Sequence, residues 1–254
     1  MILLLSPAKT LDFSDADLKK HTEPRLLEDS DKLVKVLKKK SADDLKSLMK
    51  VSDNIASLNV ARFKEFSTPF TTENAKQSIL AFKGDVYQGL AADTFGPAEH
   101  EFAQKHLRIL SGLYGILRPM DLMQPYRLEM GTKLKNGKYK NLYEFWDNRI
   151  TNVLNEDLKN SCGNTIVNLA SQEYFKSVKV DKLEGDLLNI HFKEKRGDKF
   201  KVIAFNAKKA RGAMAKQVIE LKITDKEHLK ALEVNGYVFN EGMSDEGNYM
   251  FVKE

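Results

Sequence analysis

Three side chains are candidates for acid or base chemistry because each stands close to a charge of the opposite sign. Lys9, Asp85 and Glu173 each lie within three residues of an oppositely charged side chain. Charged groups held in one pocket shift each other's protonation, as in sites that transfer protons. With Arg118 and Arg127 as clamps for an anionic group, these residues support an alternative hypothesis to simple anion binding, an enzyme acting on a nucleotide, a nucleobase or another phosphorylated metabolite.

The stretch from 107 to 131, LRILSGLYGILRPMDLMQPYRLEMG, is the densest in such residues. It combines three arginines with three glycines and two prolines. Glycine and proline favour an irregular loop, and arginines on a constrained loop suit bidentate contacts with phosphate or carboxylate. The alternative is that the arginines form internal ion pairs with Asp121 and Glu129. Tyr114 and Tyr126 in this stretch are candidates for stacking on nucleic-acid bases.

Four short apolar runs are each followed directly by a polar residue. The runs are Ile2–Leu5, Leu107–Leu110, Ile166–Ala170 and Val202–Phe205, and the residues that follow are Ser6, Ser111, Ser171 and Asn206. If these runs are parallel neighbours in a sheet, their carboxyl ends share one edge, where open α/β sheets bind ligands. The alternative is that the polar residues only cap helices.

The composition describes an ordinary globular chain with unevenly distributed charge. The 254 residues include 41 Lys and Arg against 36 Asp and Glu, a formal charge of +5. The segments 32–50 and 201–221 are rich in basic residues, which favours an anionic partner, although solvated helix faces give the same pattern. No apolar run approaches the ~20 residues of a membrane-spanning helix. Without an export signal or a membrane segment, we expect a cytoplasmic protein.

The cysteine and histidine content argues against metal and redox sites. Cys162 is the single cysteine, so neither an intrachain disulfide nor a thiolate metal cage is expected. The five histidines show no metal-binding spacing, and no Glu-x-x-His pattern of a ferritin-like site is present. We therefore predict no metal site and no cofactor.

The order of the predicted elements favours a mixed α/β (α+β) fold. Helical spacing dominates the first 105 residues, with a capping box at Ser41 and Asp44 and an N-cap at Ser52, whereas strands dominate the second half. No linker or repeat interrupts the chain. We expect a single compact domain over residues 1–254, with a central mixed sheet flanked by helices.

Five blocks of the sequence resemble the YaaA family of bacterial peroxide-stress proteins. They are LLSPAKTLDF (4–13), ILAFKGDVYQGL (79–90), LRILSGLYGILRPMDLMQPYRLEMG (107–131), NLASQEYFKSV (168–178) and AKKARGAMAK (207–216). The resemblance implies a cytosolic protein of the hydrogen peroxide response that limits unincorporated iron and oxidative DNA damage. It also implies a helix-hairpin-helix element and a basic cleft that binds duplex or structured DNA. Any effect on iron is expected to be indirect.

The helix-hairpin-helix element implied by the resemblance would lie at 41–66. Its turn would be Ser57-Leu58-Asn59, where both glycines of the usual Gly-hydrophobic-Gly turn are replaced. Such hairpins hold phosphates without reading sequence. The residues expected to contact DNA are Ser57, Asn59, Arg62, Lys64, Lys9, Lys83, Arg108, Arg118, Arg127, Lys176, Lys208, Lys209 and Arg211.

Overall fold

The structure, a computed structural model, describes residues 1–16, 18–161 and 163–254, so Cys162 lies outside the described residues. The strands are β1 (Ile2–Leu5), β2 (Thr10–Leu11), β3 (Lys76–Gln77), β4 (Phe82–Lys83), β5 (Leu107–Ser111), β6 (Gly115–Leu117), β7 (Leu122–Met123), β8 (Thr165–Asn168), β9 (Asp186–Arg196), β10 (Lys199–Lys201), β11 (Glu233–Val234), β12 (Tyr237–Phe239) and β13 (Asn248–Lys253). The α-helices are α1 (Leu27–Leu37), α2 (Ala42–Met49), α3 (Asp53–Glu65), α4 (Ser78–Ala81), α5 (Asp85–Leu90), α6 (Pro97–His106), α7 (Leu142–Trp146), α8 (Arg149–Lys159), α9 (Gln172–Phe175) and α10 (Ala204–Glu220).

The core is built on a mixed sheet with the strand order β11-β12-β13-β9-β8-β1-β5-β6, in which β10 also pairs with β9. The strands β13, β9, β8, β1 and β5 are mutually parallel, and β6 runs antiparallel to β5. All four residues of β1 are buried, as expected for a parallel strand covered on both faces. The predicted α/β fold, one domain with a central mixed sheet flanked by helices, is confirmed.

Three of the four predicted strand ends meet at one edge of this sheet. The pairing of Leu5 with Ile109 and of Leu4 with Asn168 brings the ends of β1, β5 and β8 side by side. The fourth prediction is wrong, because Asn206 lies inside α10 and the preceding segment is not a strand. We call the edge formed by the ends of β1, β5 and β8 the carboxyl edge.

The helix α10 runs antiparallel to the parallel strands. Thr224 follows the last turn of α10, and its carbonyl oxygen lies close to Gly163. The backbone nitrogen of Met1, which precedes β1, lies close to the same glycine. The carboxyl-terminal end of α10 is therefore at the opposite edge of the sheet, where the parallel strands begin, which we call the amino edge. Its first turns lie at the carboxyl edge.

Two helices form a hairpin within 41–66, but its turn differs from the prediction. The capping box is present, since Ser41 accepts the N–H of Asp44 at 3.1 Å and Asp44 accepts the N–H of Ser41 at 2.9 Å. Ser52 caps α3, so the turn between α2 and α3 is Lys50–Ser52. The predicted turn at 57–59 instead lies in the middle of α3.

Candidate functional site

The carboxyl edge carries a hydrogen-bonded set of serine and tyrosine side chains. The N–H of Ser171 donates to the hydroxyl of Ser6 at 2.8 Å, which joins the end of β1 to the segment after β8. The hydroxyls of Ser111 and Tyr126 lie 2.6 Å apart. The phenol of Tyr87 donates to the carbonyl of Ser6 at 3.1 Å. The loop that follows β7 and the helix α5 are thus both tied to the strand ends.

Charges of both signs surround this set. The carboxylate of Glu129 lies 2.8 Å from the ammonium of Lys9 and accepts a bond from Arg127 at 3.2 Å. Glu173 accepts the backbone N–H of Gly131 at 2.9 Å. The segment 127–131 therefore links the residues after β1 to α9.

Three phenols at this edge have pKa values above the ordinary value for tyrosine. Burial raises the pKa of Tyr87, Tyr126 and Tyr174, and the nearby Glu173 and Glu129 carboxylates add to the effect at Tyr174. These phenols remain protonated at neutral pH and serve as hydrogen-bond donors. The hypothesis that Tyr114 and Tyr126 stack on bases is wrong, because both rings are enclosed in the core.

The helices α5 and α10 meet so closely that only glycine fits at the crossing. A Cβ on Gly212 would lie 1.8 Å from the carbonyl oxygen of Val86, and one on Gly89 would lie 2.2 Å from that of Lys209. Asp85 begins α5, and its side chain has neither a hydrogen bond nor an ion pair with any residue in the described ranges. The contact brings Asp85 and the first half of α10 to the same end of the sheet.

Arg211 lies in the middle of the buried face of α10. Ala207, Met214, Ala215 and Val218, which share its side of the helix, are all buried. The Nε–H of Arg211 is enclosed and has no acceptor among the described residues, and burial lowers the pKa of the guanidinium. Arg127 likewise has an enclosed Nε–H without an acceptor there.

Two arginines of the predicted DNA-contact set hold the fold together instead. The side chain of Arg108 is 5 % exposed and forms bonds of 2.6 Å and 2.8 Å with Asp157, which Arg25 also binds. Arg118 bonds to the fully buried Asp121 and to the carbonyl of Glu23. Because β6 runs antiparallel to β5, Arg118 lies toward the amino edge, at the other end of the sheet from Lys9. Arg118 and Arg127 thus form the ion pairs with Asp121 and Glu129 that the alternative named, whereas Arg108 pairs with Asp157, which the alternative did not name.

The other predicted contacts divide between paired, buried and exposed positions. Lys83 forms an ion pair with Asp12 at 2.9 Å, and hydrogen bonds from Ser14 and Lys83 hold the pKa of Asp12 well below its usual range. Asn59 is buried and donates to the carbonyl of Ile55 within α3. Ser57, Lys64, Lys176 and Lys208 are exposed, and Arg62 and Lys209 are half-buried.

Lysines without ion-pair partners lie on the segment 133–140 and on the stretch that follows α9, and the sequence analysis named only Lys176 among them. Six lysines there have no ion-pair partner in the described parts of the chain: Lys133, Lys135, Lys138, Lys140, Lys176 and Lys179. Of these, Lys138, Lys176 and Lys179 line a shallow depression of about 500 Å³ together with Tyr139 and Tyr143. The repeated lysines of KLKNGKYK (133–140) are the signal that could have revealed it. We call these six residues the lysine surface.

A cavity of about 840 Å³ lies between the segment after β2 and the helices α4 to α6. Its apolar wall includes Ile79, Phe82 and Phe95, and Lys83 is one of several lysines that line it. Within residues 1–16, 18–161 and 163–254, no group of His, Cys, Asp and Glu is arranged to hold a metal ion. In the same ranges, no helix is long and apolar enough to cross a membrane.

Comparison with known proteins agrees with the resemblance carried by the five sequence blocks. The family described as "Peroxide stress protein YaaA" matches residues 1–243. The chain belongs to the YaaA family of peroxide stress proteins. A curated relative described as a UPF0246 protein, from Alteromonas mediterranea, is 52 % identical over all 254 residues and is covered over 98 % of its own length. Membership supports a role in the response to peroxide.

Proposed function

We propose that this YaaA-family protein acts in the cytoplasm during peroxide stress by binding duplex or structured DNA without reading its sequence. The lysine surface is the observation that supports this function. None of its six ammonium groups forms an ion pair in the described residues, although Glu144 and Asp147 line the same depression. Occupying DNA in this way would limit oxidative damage to it, with any lowering of unincorporated iron as an indirect effect.

Unpaired lysines are better suited to phosphate binding than the paired cations elsewhere in the protein. Lys32, Lys35 and Lys46 already have a carboxylate within 2.8 Å, 2.6 Å and 2.7 Å. A phosphate that binds such a lysine must first displace its acid. The ammonium groups of Lys138, Lys176 and Lys179 only exchange water and counterions for phosphate, and the release of counterions favours binding.

The chemistry of this surface fits contact with the DNA backbone rather than with base edges. Lysine presents a flexible point charge, in contrast to the planar fork that arginine uses for bidentate recognition. Lys138 and Lys176 also lie over the rings of Tyr139 and Tyr143, at 5.4 Å and 5.3 Å from the ring centres. Glu144 lines the same depression and would repel phosphate locally.

The test is the DNA affinity of the triple variant K138Q/K176Q/K179Q, measured by fluorescence anisotropy with two duplexes of unrelated sequence. We expect weaker binding to both duplexes and a log–log salt slope smaller by about 2.7, since each phosphate contact contributes about 0.9. The matched control is K32Q/K35Q/K46Q, which removes the same charge from paired lysines and should change the slope far less. Equal effects of the two triple variants would overturn the proposal.

A further inference from the structure

Two arginines at the carboxyl edge each have a buried donor with no acceptor in the described residues. They are Arg211 in α10 and Arg127 in the loop bonded to Lys9 through Glu129. Buried donors are almost always satisfied, so an unsatisfied one calls for an explanation, such as a ligand that is bound in use. The third arginine of this kind, Arg25, differs because its guanidinium already holds two bonds to Asp157.

Arg211 is placed so that its charged end approaches the carboxyl edge. Side chains of a helix lean toward its N-terminus, and the N-terminus of α10 lies at that edge. Gly212, the next residue, touches Val86 of α5. The following residue of α5, Tyr87, bonds to Ser6 at the end of β1. Arg211 and the strand ends are therefore connected through one continuous set of contacts.

Arg127 lies at the same edge, on the loop that is bonded to the strand ends. Its neighbour Tyr126 is bonded to Ser111 at the end of β5. Its only partner among the described residues is Glu129, at 3.2 Å. The remaining donors of Arg127 are free to bind an oxygen atom of a ligand.

We propose that the carboxyl edge binds the oxyanion of a small metabolite, a phosphate or a carboxylate, between the guanidinium groups of Arg211 and Arg127. Guanidinium groups match both oxyanions through paired N–H donors. The site is separate from the lysine surface proposed for DNA. Its protonated phenols, its serines and the unpaired Asp85 can bind the uncharged part of the molecule by donating and accepting hydrogen bonds.

Arg211 is half-buried, and its enclosed Nε–H, which has no acceptor among the described residues, destabilises the folded protein unless a ligand supplies one. Arg211→Met keeps the length and the apolar stem of the side chain while removing the charge. We expect this variant to keep or raise the melting temperature of the ligand-free protein. A purely structural role of Arg211 would give the opposite result, a lower melting temperature.

The experiment measures thermal shift and calorimetric binding with inorganic phosphate and with succinate, each at constant ionic strength adjusted with NaCl. We expect at least one probe to stabilise the wild-type protein, and its identity tells whether the ligand carries a phosphate or a carboxylate. R211M should weaken that binding by at least about tenfold, as expected for loss of a charge-assisted bond. K216M, which removes a charge from the same helix at a residue paired with Glu220, should bind as the wild type does.

Should R211M not fold cooperatively, R127M provides the same measurement at the other arginine of the site. Binding of neither probe to the wild type would overturn the proposal. So would binding that R211M and R127M leave unchanged. The triple lysine variant K138Q/K176Q/K179Q should keep its affinity for the probe, which separates this result from the DNA proposal.

Discussion

The carboxylate of Glu129 lies 2.8 Å from the ammonium of Lys9 and joins two segments that are 120 residues apart in the chain. Lys9 follows β1, and Glu129 belongs to the loop that returns to the end of β5. Glu129 also accepts a bond from Arg127. One carboxylate thus offsets two cations at the carboxyl edge, so its removal should expose them both.

Glu129→Gln should therefore strengthen the binding of anions. Lys9 is largely exposed, so the lost ion pair should reduce the free energy of unfolding by about 1 kcal/mol or less. The freed Lys9 and Arg127 should raise the affinity of the carboxyl edge for the probe anion, inorganic phosphate or succinate, by about twofold to fivefold. Calorimetric titration with the probe that binds the wild type checks this, with Glu220→Gln as the control. Weaker binding by the Glu129 variant would show that its carboxylate does not repel the anion.

The buried group of Arg25, Arg108 and Asp157 should be essential for stability. Asp157→Asn leaves two guanidinium groups without their anion, and breaking a buried ion pair costs about 3–5 kcal/mol. Urea unfolding monitored by circular dichroism measures the loss. Asp31→Asn, which removes the partner of the exposed Lys35, should cost about 1 kcal/mol or less. Similar losses in the two variants would contradict the structural role given to Arg108.

The same group should make stability depend on pH in acid. Burial alone would raise the pKa of Asp157, but the hydrogen bonds from Arg108 and Arg25 outweigh it, so the pKa lies below the usual value. The stabilisation is present above the pKa of the unfolded chain, about 4, and is lost as pH falls through the lower folded value. Urea unfolding between pH 6 and pH 3 should show a steeper loss in the wild type than in Asp157→Asn. Parallel curves would exclude this contribution.

Most of the tyrosines should titrate late. Burial raises the pKa of Tyr87, Tyr114, Tyr126, Tyr174 and Tyr237 above the ordinary value of about 10, and it also raises the pKa of Tyr143 and Tyr249. Folding is thus favoured below pH 10, and this contribution is lost as pH rises, because the unfolded chain ionises first. Tyrosinate absorbance should show the first five absent from the early titration until the protein unfolds. Titration of all eight tyrosines together in the folded protein would contradict their burial.

The parts of the site predicted from sequence are those set by short-range patterns. Buried apolar runs that end in serine identified the ends of β1, β5 and β8, because parallel strands place their ends at one edge. The cap at Ser52 was also identified correctly. A helix that starts after Ser52 includes residues 57–59, so the local sequence already argues against a turn there. The turn at 57–59 follows only from the family pattern, and that prediction is wrong.

The wrong predictions concern residues whose position depends on a partner distant in the sequence or on a reversal of the chain. Asp157 is 49 residues from Arg108, and nothing near Arg108 in the sequence indicates the pair. Arg118 lies away from Lys9 because the chain reverses direction between Ser111 and Gly115, so that β6 runs antiparallel to β5. The run at 202–205 illustrates that a short apolar segment fits either a strand or the start of a helix.

The most direct test of the account is the salt dependence of DNA affinity in the wild-type protein. The six ammonium groups of the lysine surface predict a log–log slope of about −5 when all of them contact phosphate, and the same slope for duplexes of unrelated sequence. Anisotropy titrations from low to moderate salt provide the measurement. A slope near zero, or affinity confined to one sequence, would contradict binding to the DNA backbone through these lysines.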